Sequence, residues 1–206
     1  MRAKICKITD LFTALNAEDA GADFLGFVFD DKSDAYISPL RVEVIAQQIK
    51  AARLVGVFRD EDLKTVNHWA NKIDSDYVQL DGNEDAEYAR KVDRPVIKSF
   101  RYDDKFSVER AMVYPAEMIR LDFGGQLMLG FDRKKAIRDI CAVNKSVILA
   151  GDVDPKKVKK LCLKLQPYAF DTPIGMNGAY GIKDFLRHLK GNVQDEVIRH
   201  YGYSMA

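Results

Sequence analysis

Short apolar or alternating runs recur along the chain at intervals of roughly two to three dozen residues. They are AKICKI (3–8), FLGFVF (24–29), LVGVF (54–58), YVQL (77–80), PVIKSF (95–100), MIRLD (118–122), SVILA (146–150) and YAFD (168–171). Each has the length and composition of a strand. Between them the apolar positions change to a helical period. In DPKKVKKLCLKLQP (154–167), Val158, Leu161, Cys162 and Leu165 share one face and the lysines take the other. PLRVEVIAQQIKAA (39–52) repeats the stripe through Val42, Ile45, Ala46 and Ile49, and EDLKTVNHWANKI (61–73) through Leu63, Val66, Trp69, Ala70 and Ile73. Strand therefore alternates with helix eight times, which predicts an α/β fold of the (β/α)8 TIM-barrel kind, with an open doubly wound sheet as the rival. No GxGxxG follows the first strand, and its absence weakens the dinucleotide-binding form of that rival.

The 206 residues suffice for one sizeable core, and nothing resembling a linker interrupts them, so residues 1–206 are expected to form one compact domain. Lys plus Arg number 32 against 31 Asp plus Glu, so no global field steers the chain toward nucleic acid or a membrane, and no apolar run reaches a spanning length. The start, MRAKICKITD, is too charged for a secretion signal, and the widely spaced Cys6, Cys141 and Cys162 suit reduced thiols, so a cytoplasmic protein is expected. Neither these cysteines nor His68, His188 and His200 have metal-ligand spacing, so no metal is expected.

In a closed barrel the chemistry sits where strands end. That rule selects Cys6, the loop DDKSDAYIS (30–38), Gln79, Asp81, Lys98, Asp122, and the loops at 150–153 and 171–178. Taken singly, such a cysteine is more often a small buried hydrophobe, and such a carboxylate a turn cap. The stretch VILAGDVDP (147–155) reads as a strand passing through a glycine turn into a helix capped by Asp154 with Pro155 at its first position. Junctions of this kind present free backbone N–H groups to anions, yet Asp152 puts a negative charge beside Gly151.

Taken in order, these segments resemble the phosphoribosylanthranilate isomerase family of tryptophan biosynthesis. The family's K-I-C-G-I-T is similar to KICKIT (4–9), and its E-A-G-A-D-x-x-G-F-V-F-x-x-K-S-x-R-Y-I-S to DAGADFLGFVFDDKSDAYIS (19–38). VGVF (55–58), VQLDGNE (78–84) against V-Q-L-H-G-x-E, VIK (96–98), VILAG (147–151) and GIKD (181–184) continue the register nearly end to end. The resemblance implies a cofactor-free Amadori rearrangement of a small-molecule substrate by a monomer or homodimer, with Cys6 as base and Asp122 as acid. Lys4, Gln79, Gly151 and Gly175 are the implied substrate-binding positions. Lys4, two residues before Cys6 on the same strand face, is expected to draw the thiol toward thiolate. An acid must stay protonated to donate, and a partly desolvated mouth with a like charge nearby is expected to push Asp122 in that direction, with Arg120 on the same face opposing this.

Several positions depart from the family pattern. The arginine of K-S-x-R-Y, which pairs with the anthranilate carboxylate, is Ala35 here, and the histidine of V-Q-L-H is Asp81. In the phosphate loops Asp152 adds negative charge, Pro173 lacks an N–H, and Ile174 replaces a hydroxyl with hydrocarbon. These changes predict a weaker grip on phosphate, and leave as alternatives a relative acting on a less anionic ligand or a silent binding module. The sixth loop, GGQLMLGFD (124–132), carries apolar Leu127 to Leu129 that suit a lid or contact patch, and the extension 192–206 is expected to add a short helix closing the barrel bottom.

Overall fold

A computed structural model describes residues 1–124, 132–151, 154–174 and 178–191. Asp152, Gly175, the apolar part of the sixth loop and the extension 192–206 lie outside the described residues. Eight parallel strands close on themselves in chain order: β1 (Arg2–Cys6), β2 (Phe24–Val28), β3 (Arg53–Phe58), β4 (Tyr77–Leu80), β5 (Val96–Arg101), β6 (Met118–Asp122), β7 (Ser146–Ala150) and β8 (Ala169–Pro173). Closure is made where Lys4 pairs with Asp171 and Cys6 with Pro173. The helices between them are α1 (Leu11–Asp19), α2 (Pro39–Ala46), α3 (Leu63–Lys72), α4 (Ala86–Ala89), α5 (Val108–Val113), α6 (Arg133–Ala142), α7 (Pro155–Leu165) and α8 (Gly178–Lys190). All eight predicted strands are present, and the ring is closed rather than open.

The helices begin where short polar side chains can take the first free amides. Asp10 accepts from Thr13, Asp62 from Lys64 and Thr65, Asp132 from Lys134 and Lys135, and Asp154 from Lys156, as predicted for that cap. The inward stripe of α7 is buried at Val158, Cys162 and Leu165. Two elements are shorter than their patterns predict. β1 stops at Cys6 because Lys7 turns into the left-handed region at φ 66°, which lets the fully buried Ile8 donate to the Gly26 carbonyl at 3.1 Å. α2 stops at Ala46 because the Glu18 carboxylate takes the Lys50, Ala51 and Ala52 amides at 2.9, 2.7 and 2.9 Å, drawing that stretch out of the helix.

Alternation along each strand divides the apolar residues into two cores. Outward residues such as Ile5, Leu25, Phe27, Val78, Ile119, Leu149 and Phe170 pack under the helices. Inward residues fill the barrel: Phe24, Tyr77, Met118 and Ala169 form its floor, with Val55, Ile97 and Ile148 above. The next level up is different. Following the register from the floor residues, β2, β4, β6 and β8 contribute Gly26, Gln79, Arg120 and Asp171, so an apolar interior gives way to a polar layer just under the mouth.

Candidate active site

Above this layer lies a pocket of about 280 Å³ at the C-terminal ends of the strands, with Cys6, Gln79, Asp81, Arg120, Asp122 and Asp171 among its lining. Arg120 is the hub. Its Nε donates to Asp171 Oδ2 at 2.6 Å, and its Nη1 to Ser99 Oγ and Asp122 Oδ2, both at 3.3 Å. Asp171 Oδ1 also receives Lys4 Nζ at 3.1 Å, and both of those side chains are essentially shut off from solvent. Asp81 Oδ1 accepts from Gln79 Nε2 at 2.8 Å and from Ser99 Oγ at 2.5 Å, so the carboxylate standing in the family's histidine position is turned into the network. Burial opposes the Asp81 charge, but Arg120 and the two hydrogen bonds outweigh it and hold the carboxyl below the ordinary aspartate range. Burial likewise opposes the Lys4 ammonium and is the largest influence on it, but Asp171 and Cys6 together outweigh burial and hold it above the usual lysine range.

Cys6 and Asp122 face this pocket from β1 and β6. Asp122 Oδ1 accepts from the Gly124 amide at 2.7 Å and lies 4.0 Å from Arg101. The Cys6 side chain is tightly enclosed: a Cβ built on Gly26 would stand 2.8 Å from its Sγ and 3.0 Å from Lys4 Nζ. The absence of a side chain on β2 therefore makes the space these two groups occupy. Lys4 does pull Cys6 toward thiolate, as expected, but it does not prevail. Burial is the largest influence and raises the thiol; Lys4 lowers it, Asp171 raises it again, and the balance lies above the ordinary cysteine range.

The other predicted positions divide. Gln79 and Gly151 line the pocket. Lys4 does not, being fully buried beneath it, so its expected contact with a ligand is replaced by support of Asp171. Lys98 is likewise structural, donating to Glu84 at 2.7 Å and the Gly82 carbonyl at 2.6 Å. Ala35 is buried in the inner cluster with Cys6 and Val28. Pro173 lines the pocket, and Ile174 donates its N–H to the Cys6 carbonyl at 3.1 Å, so that amide is engaged within the fold. Asp171 was not singled out from sequence, although a carboxylate inside the apolar YAFD run is the signal that finds it.

A closed (β/α)8 barrel whose mouth sets a thiol and a carboxyl around one small polar pocket is of the class that moves protons on a small molecule. Residues 3–194 match the family described as N-(5'-phosphoribosyl)anthranilate (PRA) isomerase. The chain is 36% identical over 200 residues to the N-(5'-phosphoribosyl)anthranilate isomerase of Geotalea uraniireducens (strain Rf4), covering 92% of this chain and 98% of that one. Among solved structures, phosphoribosylanthranilate isomerase from Thermotoga maritima superposes with a TM-score of 0.84 at 31% identity, covering 93% and 99% of the two chains. Another such isomerase, in complex with reduced 1-(o-carboxyphenylamino)-1-deoxyribulose 5-phosphate, gives 0.82 at 30% identity with the same coverage. The chain belongs to the phosphoribosylanthranilate isomerase family.

Proposed function

We infer that this protein isomerises N-(5'-phosphoribosyl)anthranilate to the carboxyphenylamino-deoxyribulose phosphate. The observation that carries this is the placement of Cys6 and Asp122 on one pocket in a chain that follows the family over residues 3–194. Asp122 delivers a proton to the ribose ring oxygen, the C1'–O bond opens, and the amine nitrogen's lone pair closes an iminium at C1'. Cys6, as thiolate, takes the C2' proton, giving an enolamine that tautomerises to the ketose. The substrate gains one proton from Asp122 and gives one to Cys6 with its overall oxidation state unchanged, so no cofactor is needed; a proton passing through solvent from the thiol to the carboxylate resets the pair. A carboxylic acid and a thiol suffice because the iminium already acidifies the C2' hydrogen.

Gln79 positions the substrate in this reading. Its Nε2 is tied to Asp81, which fixes the amide orientation, and its Oε1 is a fully buried acceptor with no hydrogen-bond partner among the described residues. An orphaned acceptor on a pocket wall suits an N–H or O–H of the ligand, here the bridging amine or a ribose hydroxyl. Gly151 and Gly175 take the phosphate, and residues 1–206 act as one domain in the cytoplasm; no described helix is long and apolar enough to cross a membrane. The comparisons favour this reading over a less anionic ligand. The test is loss of phosphoribosylanthranilate fluorescence on adding the protein, with Cys6→Ser and Asp122→Asn expected to lower kcat by about 10²–10⁴; turnover persisting in both variants overturns the assignment.

A further inference from the structure

Among the described residues, three cations line the pocket: Arg120, Lys7 and Arg59. Arg120 is committed to Asp171, Ser99 and Asp122. The other two are held loosely at the rim. Lys7 Nζ lies 3.4 Å from Asp34, with the two side chains 46% and 88% exposed, and Arg59, 58% exposed, holds its Nε 3.6 Å from the less exposed Asp30. Pairs this long and this wet contribute little and give way easily to a better anion.

Lys7 is also in the wrong backbone conformation for a lysine. Its φ of 66° is the region that glycine tolerates, and the family motif has glycine at this position. Among the described residues, the other non-glycine positions with positive φ are Asp60, Asp74, Asn144 and Gln166. Asp and Asn visit this region readily, and Gln166 caps the end of α7. Lys7 has neither excuse. A side chain kept at an unfavourable φ on the wall of a pocket, one residue from the proposed base, marks a functional constraint.

We propose that Lys7 and Arg59 form the carboxylate subsite of this pocket, holding the anthranilate carboxylate in place of a cation at Ala35. The inference rests on the isomerase reading, and position selects which anion is held. Both cationic heads meet aspartates of the 30–34 segment, next to Ala35, and Arg59 follows β3. In a ring of eight strands β3 stands opposite β7, and Gly151 follows the end of β7. A substrate with a phosphate at one end and a benzoate at the other spans the mouth from Gly151 to Arg59; Lys7 follows β1, beside β8, and the contact of its Nζ with Asp34 is what carries its charge to the carboxylate side. Ala35 supplies only a methyl, so the rim cations are the groups left to meet that charge.

The test compares two substrates in the intact protein: phosphoribosylanthranilate and its decarboxylated counterpart, phosphoribosylaniline. Lys7→Gly and Arg59→Ala are each expected to lower kcat/KM for the carboxylated substrate about 10- to 100-fold, chiefly through KM, and for the aniline by less than about threefold. Lys7→Gly should simultaneously raise Tm by about 2–4 °C, since glycine relieves the backbone while the binding contact is lost. Equal losses on both substrates move these cations to the phosphate and overturn the proposal, as do variants that leave KM for phosphoribosylanthranilate unchanged. A wild-type protein that turns over neither substrate refutes the isomerase reading, and this one with it.

Discussion

Replacing Asp171 by Asn keeps the shape of the side chain and removes the charge that two buried cations share. Lys4 Nζ sits 3.1 Å from one oxygen and Arg120 Nε 2.6 Å from the other, and the Asp171 side chain is 1% exposed. At an effective dielectric near 20 the Lys4 attraction alone is about 5 kcal/mol. Arg120 retains Ser99 and Asp122, but Lys4 loses its carboxylate in a site with no access to water. Breaking one such buried pair costs about 3–5 kcal/mol, a large share of the roughly 5–15 kcal/mol that holds a domain together. Reversible urea denaturation of the wild type, Asp171→Asn, and the double variant Lys4→Met with Asp171→Asn measures it. The single variant should lose about 3–5 kcal/mol, and the double variant should regain at least half, because the stranded ammonium is gone. A single variant within about 1 kcal/mol of wild type, or a double variant no better than the single, refutes the claim that this charge pair holds the site together.

Three further outcomes follow from the geometry. With the Cys6 thiol held above its ordinary range, its thiolate grows with pH, so kcat/KM should still be rising above about pH 8.5, and Asp171→Asn should shift that limb to lower pH by removing the carboxylate that disfavours the thiolate. Gly26→Ala places a methyl 2.8 Å from Cys6 Sγ and 3.3 Å from its Cα, and is expected to lower kcat/KM about 100-fold through displacement of the thiol, with a stability loss of about 1–3 kcal/mol by denaturation. Burial raises the Glu18 carboxyl, but its hydrogen bonds from Ala52, Ala51 and Lys50 prevail and lower it. Its contribution is therefore present above the ordinary glutamate value and lost as pH falls through the lowered one; Glu18→Gln should cost about 1 kcal/mol at neutral pH and flatten that part of the acid unfolding curve.

The barrel was legible because every strand is a short apolar run and most of the gaps carry a helical stripe or a short polar cap such as Asp10, Asp62, Ser107 or Asp154. Cys6, Gln79 and Asp122 were legible as polar residues at strand ends within a familiar register. Sequence was misleading where a neighbour far along the chain decides the matter. Lys4 stands two residues from Cys6, so it looks like the thiol's partner, yet Asp171 across the barrel seam binds it more tightly. Ile49 continues the α2 stripe, yet a carboxylate on α1 takes the amides that follow it. Lys7 is inconspicuous as a residue type; only its φ reveals the constraint.

The Lys4–Asp171 pair joins residues 167 positions apart, and it is at once the seam of the ring and the support beneath the Cys6 thiol. A ribosome must therefore deliver β8 before any of the chemistry can exist. Appearance of turnover during synthesis or refolding would thus time the last strand's docking, making the enzyme its own clock for barrel completion.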